Sequence, residues 1–157
     1  MPNPIEVIKN DHEEVKKMFE EYNGLGTENT ERKSELADEI LKALTIHTRM
    51  EEKFLYPKLK EAISPEHPMP VDEAQAEHHA AKMIMLELKV MPVTSETYDA
   101  KMTVLQENIE HHIEEEESEL LPEAEKVLGG EMDQIGKEME EYKEDAQKNL
   151  LDKLLGE

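Results

Sequence analysis

Residues 47–57 read HTRMEEKFLYP, and the pattern returns 65 residues later as HIEEEESELLP at 112–122. Each copy carries a His, a Glu four residues on, a further acidic residue, and a Pro ten residues after the His. On an α-helix, residues i and i+4 lie about 40° apart on one face. His47 and Glu51 therefore aim at one point, and His112 and Glu116 aim at another. Two such points meeting inside a bundle would make a metal site.

The flanking sequence supplies helices to carry them. Residues 4–22 open on Pro4 and end before Asn23-Gly24, with an inward stripe of Ile5, Ile8, His12, Val15, Phe19 and Tyr22. Those steps of three and four trace a single helix face. A second helix is expected over 31–62, its stripe Leu36, Ile40, Leu44, His47, Glu51 and Phe54 or Leu55, with Pro57 kinking or ending it just past the acidic pair. A Pro-rich connector, SPEHPMP at 64–70, follows. The third helix, 71–91, presents Ala74, His78, Ala81, Met85 and Leu88. The fourth, 96–128, presents Met102, Leu105, Ile109, His112, Glu116 and Leu120, with Thr94 or Ser95 as its N-cap. Beyond Gly129-Gly130 a fifth helix, 131–155, has Met132, Ile135, Met139, Tyr142, Ala146 and Leu150 on one side and carries no His. It reads as a lid packed on the bundle, with a dimer contact as the alternative.

The order is helix with His, helix with His-x-x-x-Glu, done twice. His12 to His47 is 35 residues and His78 to His112 is 34. This predicts an all-α fold: an antiparallel four-helix bundle with an internal two-fold repeat (1–128), plus a C-terminal amphipathic helix (129–157) packed on the same domain.

Register separates the paired histidines. Helical steps from His79 reach Asp72, Gln75, Lys82 and Lys89, polar apart from Leu86, and steps from His111 reach the mostly polar Lys101, Asn108, Glu115 and Glu119. His78 and His112 are thus assigned inward, and His79 and His111 to the surface or a supporting position. His67, among prolines, is assigned to a loop. The acidic neighbours Glu52, Glu77, Glu115 and Glu117, and the run 114–117, are expected to be a solvated face. A lone His on an apolar stripe is usually a hydrogen-bonded core residue, and a lone buried Glu is costly. Six such residues with matching repeat spacing (His12, His47, Glu51, His78, His112 and Glu116) need a shared cation.

Four imidazoles and two carboxylates exceed one tetrahedral zinc and are too nitrogen-rich for Ca²⁺ or Mg²⁺. They suit iron, and manganese less well. If Glu51 and Glu116 bridge two octahedral ions, four positions remain, two for an oxo or hydroxo bridge and the rest for solvent, another side chain or a diatomic ligand.

The chain holds 39 acidic and 18 basic residues, a formal charge of −21, and no Cys. That charge argues against nucleic acid and anionic membranes, and the absent Cys excludes thiolate chemistry and Cys-held metals. No secretion signal or membrane-length apolar run is read, so a cytoplasmic protein is expected.

NDH at 10–12, HTRMEEKFLYP at 47–57, AEHH at 76–79 and HIEEEESELLP at 112–122 together resemble the hemerythrin-like family, the HHE cation-binding domain, over about residues 5–128. The resemblance implies a non-heme di-iron centre that handles O₂, peroxide or nitric oxide, or senses iron and oxygen. It carries the same six residues across as ligands. Oxygen-carrying members have a further His where this chain has Lys82, and His-x-x-x-x-Asp where it has His112 and Glu116. The pattern is closer to the H–HxxxE–H–HxxxE subgroup, which argues against simple reversible oxygen carriage. Some relatives of that subgroup recruit a Tyr, and Tyr56 resembles it. On an ideal helix, however, Tyr56 lies about 900° past His47, on the opposite face. Only distortion at Pro57 would turn it inward, and the second repeat has Leu121 there.

Two functions follow. One is a di-iron protein that binds or reduces O₂ or peroxide, in oxidative stress or oxygen and iron handling, with peroxide disproportionation as its enzymatic form. The other is a non-catalytic iron or oxygen sensor or iron-delivery module. No nucleic-acid or membrane partner is expected, and a monomer is favoured.

Overall fold

The computed structural model describes residues 3–26, 28–63 and 69–155, without the side chains of Met69 and 150–155. Among these residues the regular secondary structure is all helical, with no strand. Helix α1 spans Pro4–Gly24, with Asn3 as N-cap accepting the Ile5 N–H at 2.9 Å. Helix α2 spans Thr30–Met50, and it does not run on regularly to Ala62. Glu51–Leu55 form a π-helical turn, after which α3 covers Tyr56–Ala62. The second repeat does the same: α5 (Tyr98–Glu115), a π turn (Glu116–Leu120), then α6 (Leu121–Leu128). Between the repeats lies α4 (Met69–Lys89), and after a short 3₁₀ turn at Gly129–Glu131 comes α7 (Met132–Leu155). The N-cap of α5 is Thr97 rather than Thr94 or Ser95. Gly129 sits at φ 41°, a backbone angle that glycine tolerates and other residues resist. Met69 and Pro70 already belong to α4; the rest of the expected connector, His67 included, lies outside the described residues.

Both π turns have one cause. Pro57 and Pro122 lack an N–H and crowd the carbonyl four residues back, so the α-helical bond there cannot form. The chain widens instead: Tyr56 N–H donates to Glu51 O, and Leu121 N–H to Glu116 O, both five residues back. Each turn absorbs one extra residue at the level of the inward glutamate.

The apolar stripes assemble as their spacing predicts, in two clusters. One holds Ile8, Met50, Leu55, Tyr56, Leu59, Leu121 and Ala124, with Met132, Ile135 and Met139 of α7 packed into it. The other holds Val15, Phe19, Leu36, Ile40, Leu44, Met85, Leu88, Met102 and Leu105. Each large aliphatic side chain so buried contributes roughly 1.5–3 kcal/mol. His12, His47, Glu51, His78, His112 and Glu116 are all buried, at the mid-helix positions that separate these apolar groups along each stripe. The α7 stripe weakens after Met139, where Tyr142 and Ala146 are half-buried; the Leu150 side chain is outside the described residues.

Candidate metal centre

The six residues converge as two overlapping groups. His12, His47, Glu51 and Glu116 form one, and Glu51, His78, His112 and Glu116 form the other, each with ligand atoms within 4.8 Å of one another. The two glutamates belong to both, and the histidines divide by repeat. His12 Nε2 lies 3.1 Å from Glu116 Oε1, and His47 Nε2 lies 3.1 Å from Glu51 Oε1. In the second group His78 Nε2 is 3.2 Å from Glu51 Oε1, and His112 Nε2 is 3.3 Å from Glu116 Oε2.

These contacts are close without all being hydrogen bonds. His12 Nε2, His47 Nε2, both Glu51 oxygens and Glu116 Oε1 are buried with no hydrogen-bond partner among the described residues. A buried polar atom left so costs about 1–3 kcal/mol, and more where charge is involved. Five such atoms crowd one space bounded by two carboxylates that are 0% and 1% exposed. Buried charges of this kind demand a cation.

The outer edge of each imidazole explains why Nε2 faces in. His12 Nδ1 is 2.7 Å from Glu117, His47 Nδ1 2.8 Å from Asp11, His78 Nδ1 3.2 Å from Glu52, and His112 Nδ1 3.0 Å from Glu77. An anionic carboxylate only accepts, so each Nδ1–H donates outward and the Nε2 lone pair turns inward as a ligand atom. The arrangement is two-fold. The acidic residue before each single His (Asp11, Glu77) supports the His of its hairpin partner. The glutamate after each shared one (Glu52, Glu117) supports a single His of the other repeat.

This corrects the reading of Glu52, Glu77 and Glu117 as a merely solvated face, and it adds Asp11, which periodicity missed. The signal was their position: each stands one residue from an inward His or Glu, in both repeats. Glu114 is exposed, as expected for the run it belongs to. His79 and His111 are exposed; His111 stands 3.0 Å from Glu115 and 3.5 Å from Glu77.

Tyr56 is the larger departure. It is fully buried, and its hydroxyl donates to Glu116 Oε2 at 2.5 Å and lies 3.3 Å from both His78 Nε2 and His112 Nε2. The expectation of an outward Tyr56 fails because the π turn takes up one residue. Tyr56 then stands about where an eighth residue would, roughly 80° from His47 instead of 180°. The distortion that turns Tyr56 inward is the one Pro57 imposes, taken up as a widened turn in the residues before it. Leu121, at the equivalent place, is buried and apolar, so the two groups are unequal.

Electrostatics follow the geometry. Burial pulls His47 down, but the Glu51 charge and hydrogen bonds to Asp11 and Glu51 outweigh it, raising its pKa to about 10. Burial likewise lowers His112, and Glu116 and Glu51 overcome it, raising the pKa to about 11. Burial raises Glu51, but His47, Glu116 and His112 hold it well below the ordinary carboxyl value. Tyr56 is pushed well above the usual phenol value by burial and by the charges of Glu116 and Glu51. Without metal, protons take the cation's place.

A family model for the hemerythrin HHE cation-binding domain matches residues 3–124. The chain belongs to that family. Its HHE fold is shared with a crystal structure of a hemerythrin HHE cation-binding domain-containing protein from Mycobacterium kansasii, at 28% identity and a TM-score of 0.82, covering 98% of this chain and 93% of the other. No curated protein matches it. This member of the HHE family thus has buried His and Glu groups suited to hold metal cations. No helix among the described residues is long and apolar enough to cross a membrane.

Proposed function

We propose that this HHE-domain protein is a non-heme di-iron protein that binds or reduces O₂ or peroxide. One observation carries the reading: two four-residue groups that share Glu51 and Glu116. In this reading His12 and His47 would hold one ion and His78 and His112 the other, with Glu51 and Glu116 common to both. The donor set is nitrogen-rich and carboxylate-poor, which favours iron over Mg²⁺ or Ca²⁺. An oxo or hydroxo bridge would complete the pair. When bound, two irons with free positions would supply one- and two-electron redox chemistry toward a small oxygen ligand, nitric oxide being a further candidate.

The chain's own residues prepare that chemistry. Asp11, Glu52, Glu77 and Glu117 fix the imidazole tautomers and raise their basicity, which favours the more oxidised metal. Glu51 is 0% exposed, so bulk water is excluded from it. Tyr56 holds a proton at its hydroxyl against Glu116 Oε2. It has two uses: as a further ligand beside His78 and His112 once deprotonated, or as the proton donor that peroxide cleavage needs. A cleft of about 720 Å³ between α2, α4 and α7, lined by Arg49, Glu52, His78 and Lys82 among others, leads a small molecule to the edge of the second group.

The second reading is a non-catalytic iron or oxygen sensor or an iron-delivery module, favoured by the largely buried centre. One experiment separates them. After anaerobic Fe²⁺ loading, two irons per chain with O₂ release and spectral turnover on peroxide addition support the enzyme. Two irons with a lasting spectral change and no O₂ release support sensing or delivery. Uptake of fewer than two irons, unchanged in His47→Ala, would overturn the centre.

A further inference from the structure

We infer that Lys143 of α7 is a positioning residue for the centre, acting through Asp11 on His47. The inference rests on the reading that the buried residues hold metal. Asp11 is almost fully buried, and its two oxygens are divided: Oδ2 accepts the His47 Nδ1–H at 2.8 Å, and Oδ1 accepts from Lys143 Nζ. Lys143 lies 132 residues from Asp11 and beyond residue 124, where the family match ends. The support thus comes from outside the matched domain.

Asp11 needs it more than its counterparts do. Glu117 and Glu52 have side chains 31% and 43% exposed, so water can solvate the oxygen that does not hold an imidazole. Glu77, the two-fold equivalent of Asp11, has a 19% exposed side chain and His111 at 3.5 Å. The Asp11 side chain is 7% exposed, and Lys143 is its sole cationic partner apart from His47 among the described residues. Without Lys143 a buried carboxylate oxygen would be left bare, and the group would turn to cover it. That turn releases the His47 Nδ1–H.

The seating of α7 makes the contact directional. Tyr142 meets Phe54 edge-on at 5.6 Å, and Lys53 Nζ lies 5.3 Å from the Tyr142 ring. Phe54 and Lys53 belong to the π turn that carries Glu51. Adjacent residues of α7 therefore grip α1 at Asp11 and the first π turn at Phe54. The fifth helix braces the His12–His47 group, while Tyr56 distinguishes the other.

The test uses the full chain loaded with Co²⁺, whose paramagnetism displaces the exchangeable N–H resonances of liganding imidazoles, with Co²⁺ content measured alongside. In the wild type the four Nδ1–H groups each give a signal that disappears in D₂O. In Lys143→Met one of the four, the His47 Nδ1–H, is expected to shift and to exchange with solvent faster, because its acceptor is no longer held in place. The other three hold, and Lys143→Arg restores the wild-type spectrum. Four unchanged signals in Lys143→Met would overturn the inference. So would four that move together, which would mark general loosening of α7, or failure of Lys143→Arg to restore the moved one. A wild type that takes up no Co²⁺ would overturn the metal reading beneath it instead.

Discussion

Tyr56 and Glu116 stand 60 residues apart in sequence and meet at 2.5 Å in the core, hydroxyl to carboxylate. The phenol proton therefore sits within reach of both His78 and His112, where the second group of donors converges. If Tyr56 becomes a ligand, a ferric-loaded wild type should show a phenolate charge-transfer band that Tyr56→Phe lacks. In the metal-free protein the same substitution removes a buried charged hydrogen bond, and unfolding by urea should detect a loss of about 1–3 kcal/mol. An unchanged ferric spectrum would leave Tyr56 as proton donor only.

Sharing of both glutamates makes a prediction about stoichiometry. Glu51→Gln keeps the shape and removes the charge from both groups at once, so both ions should be lost. His12→Ala leaves Glu51, His78, His112 and Glu116 in place, and should keep one ion. Metal analysis after desalting distinguishes the two. Retention of one ion by Glu51→Gln would mean that the carboxylates are not shared.

The acidic run at 114–117 offers a test within four residues. Glu117 holds His12 Nδ1 at 2.7 Å, whereas Glu114 is exposed. Glu117→Ala should weaken metal binding by about 10–100-fold in a chelator competition, and Glu114→Ala should not measurably change it. Equal effects would return the whole run to being a solvated face.

These contrasts show what could be read from the residues alone. The bundle and its six inward residues were legible because each polar group interrupts an apolar stripe at helical spacing, and a buried Glu in such a stripe has few innocent explanations. The four supporting carboxylates were not, since they sit one position off the inward face of a chain with 39 acidic residues, where another Glu carries no contrast. Tyr56 was misplaced for a different reason. A uniform α-helix puts it on the opposite face, and the repeated prolines act on the turn before them by denying a hydrogen bond. Lys143 had no local signal at all, because its partner lies at the other end of the chain.

Protons and metal compete for the same centre. His47 has a pKa of about 10 in the folded, metal-free protein against 6.5 for an ordinary His. A raised pKa contributes stability that is complete below pH 6.5 and is lost as pH climbs through about 10. His112, at about 11, acts in the same direction. The metal-free melting temperature should therefore fall as pH rises from about 7 to 10. The loaded protein keeps its cation, so the gap between the two melting curves should widen over that window. The same protons must leave when metal enters: at pH 8, loading two ions should release at least two protons, one each from His47 and His112, into weak buffer, read with an indicator dye. If Tyr56 also deprotonates to bind, the wild type should release about one proton more than Tyr56→Phe. Loading that releases none would contradict the raised histidine pKa values.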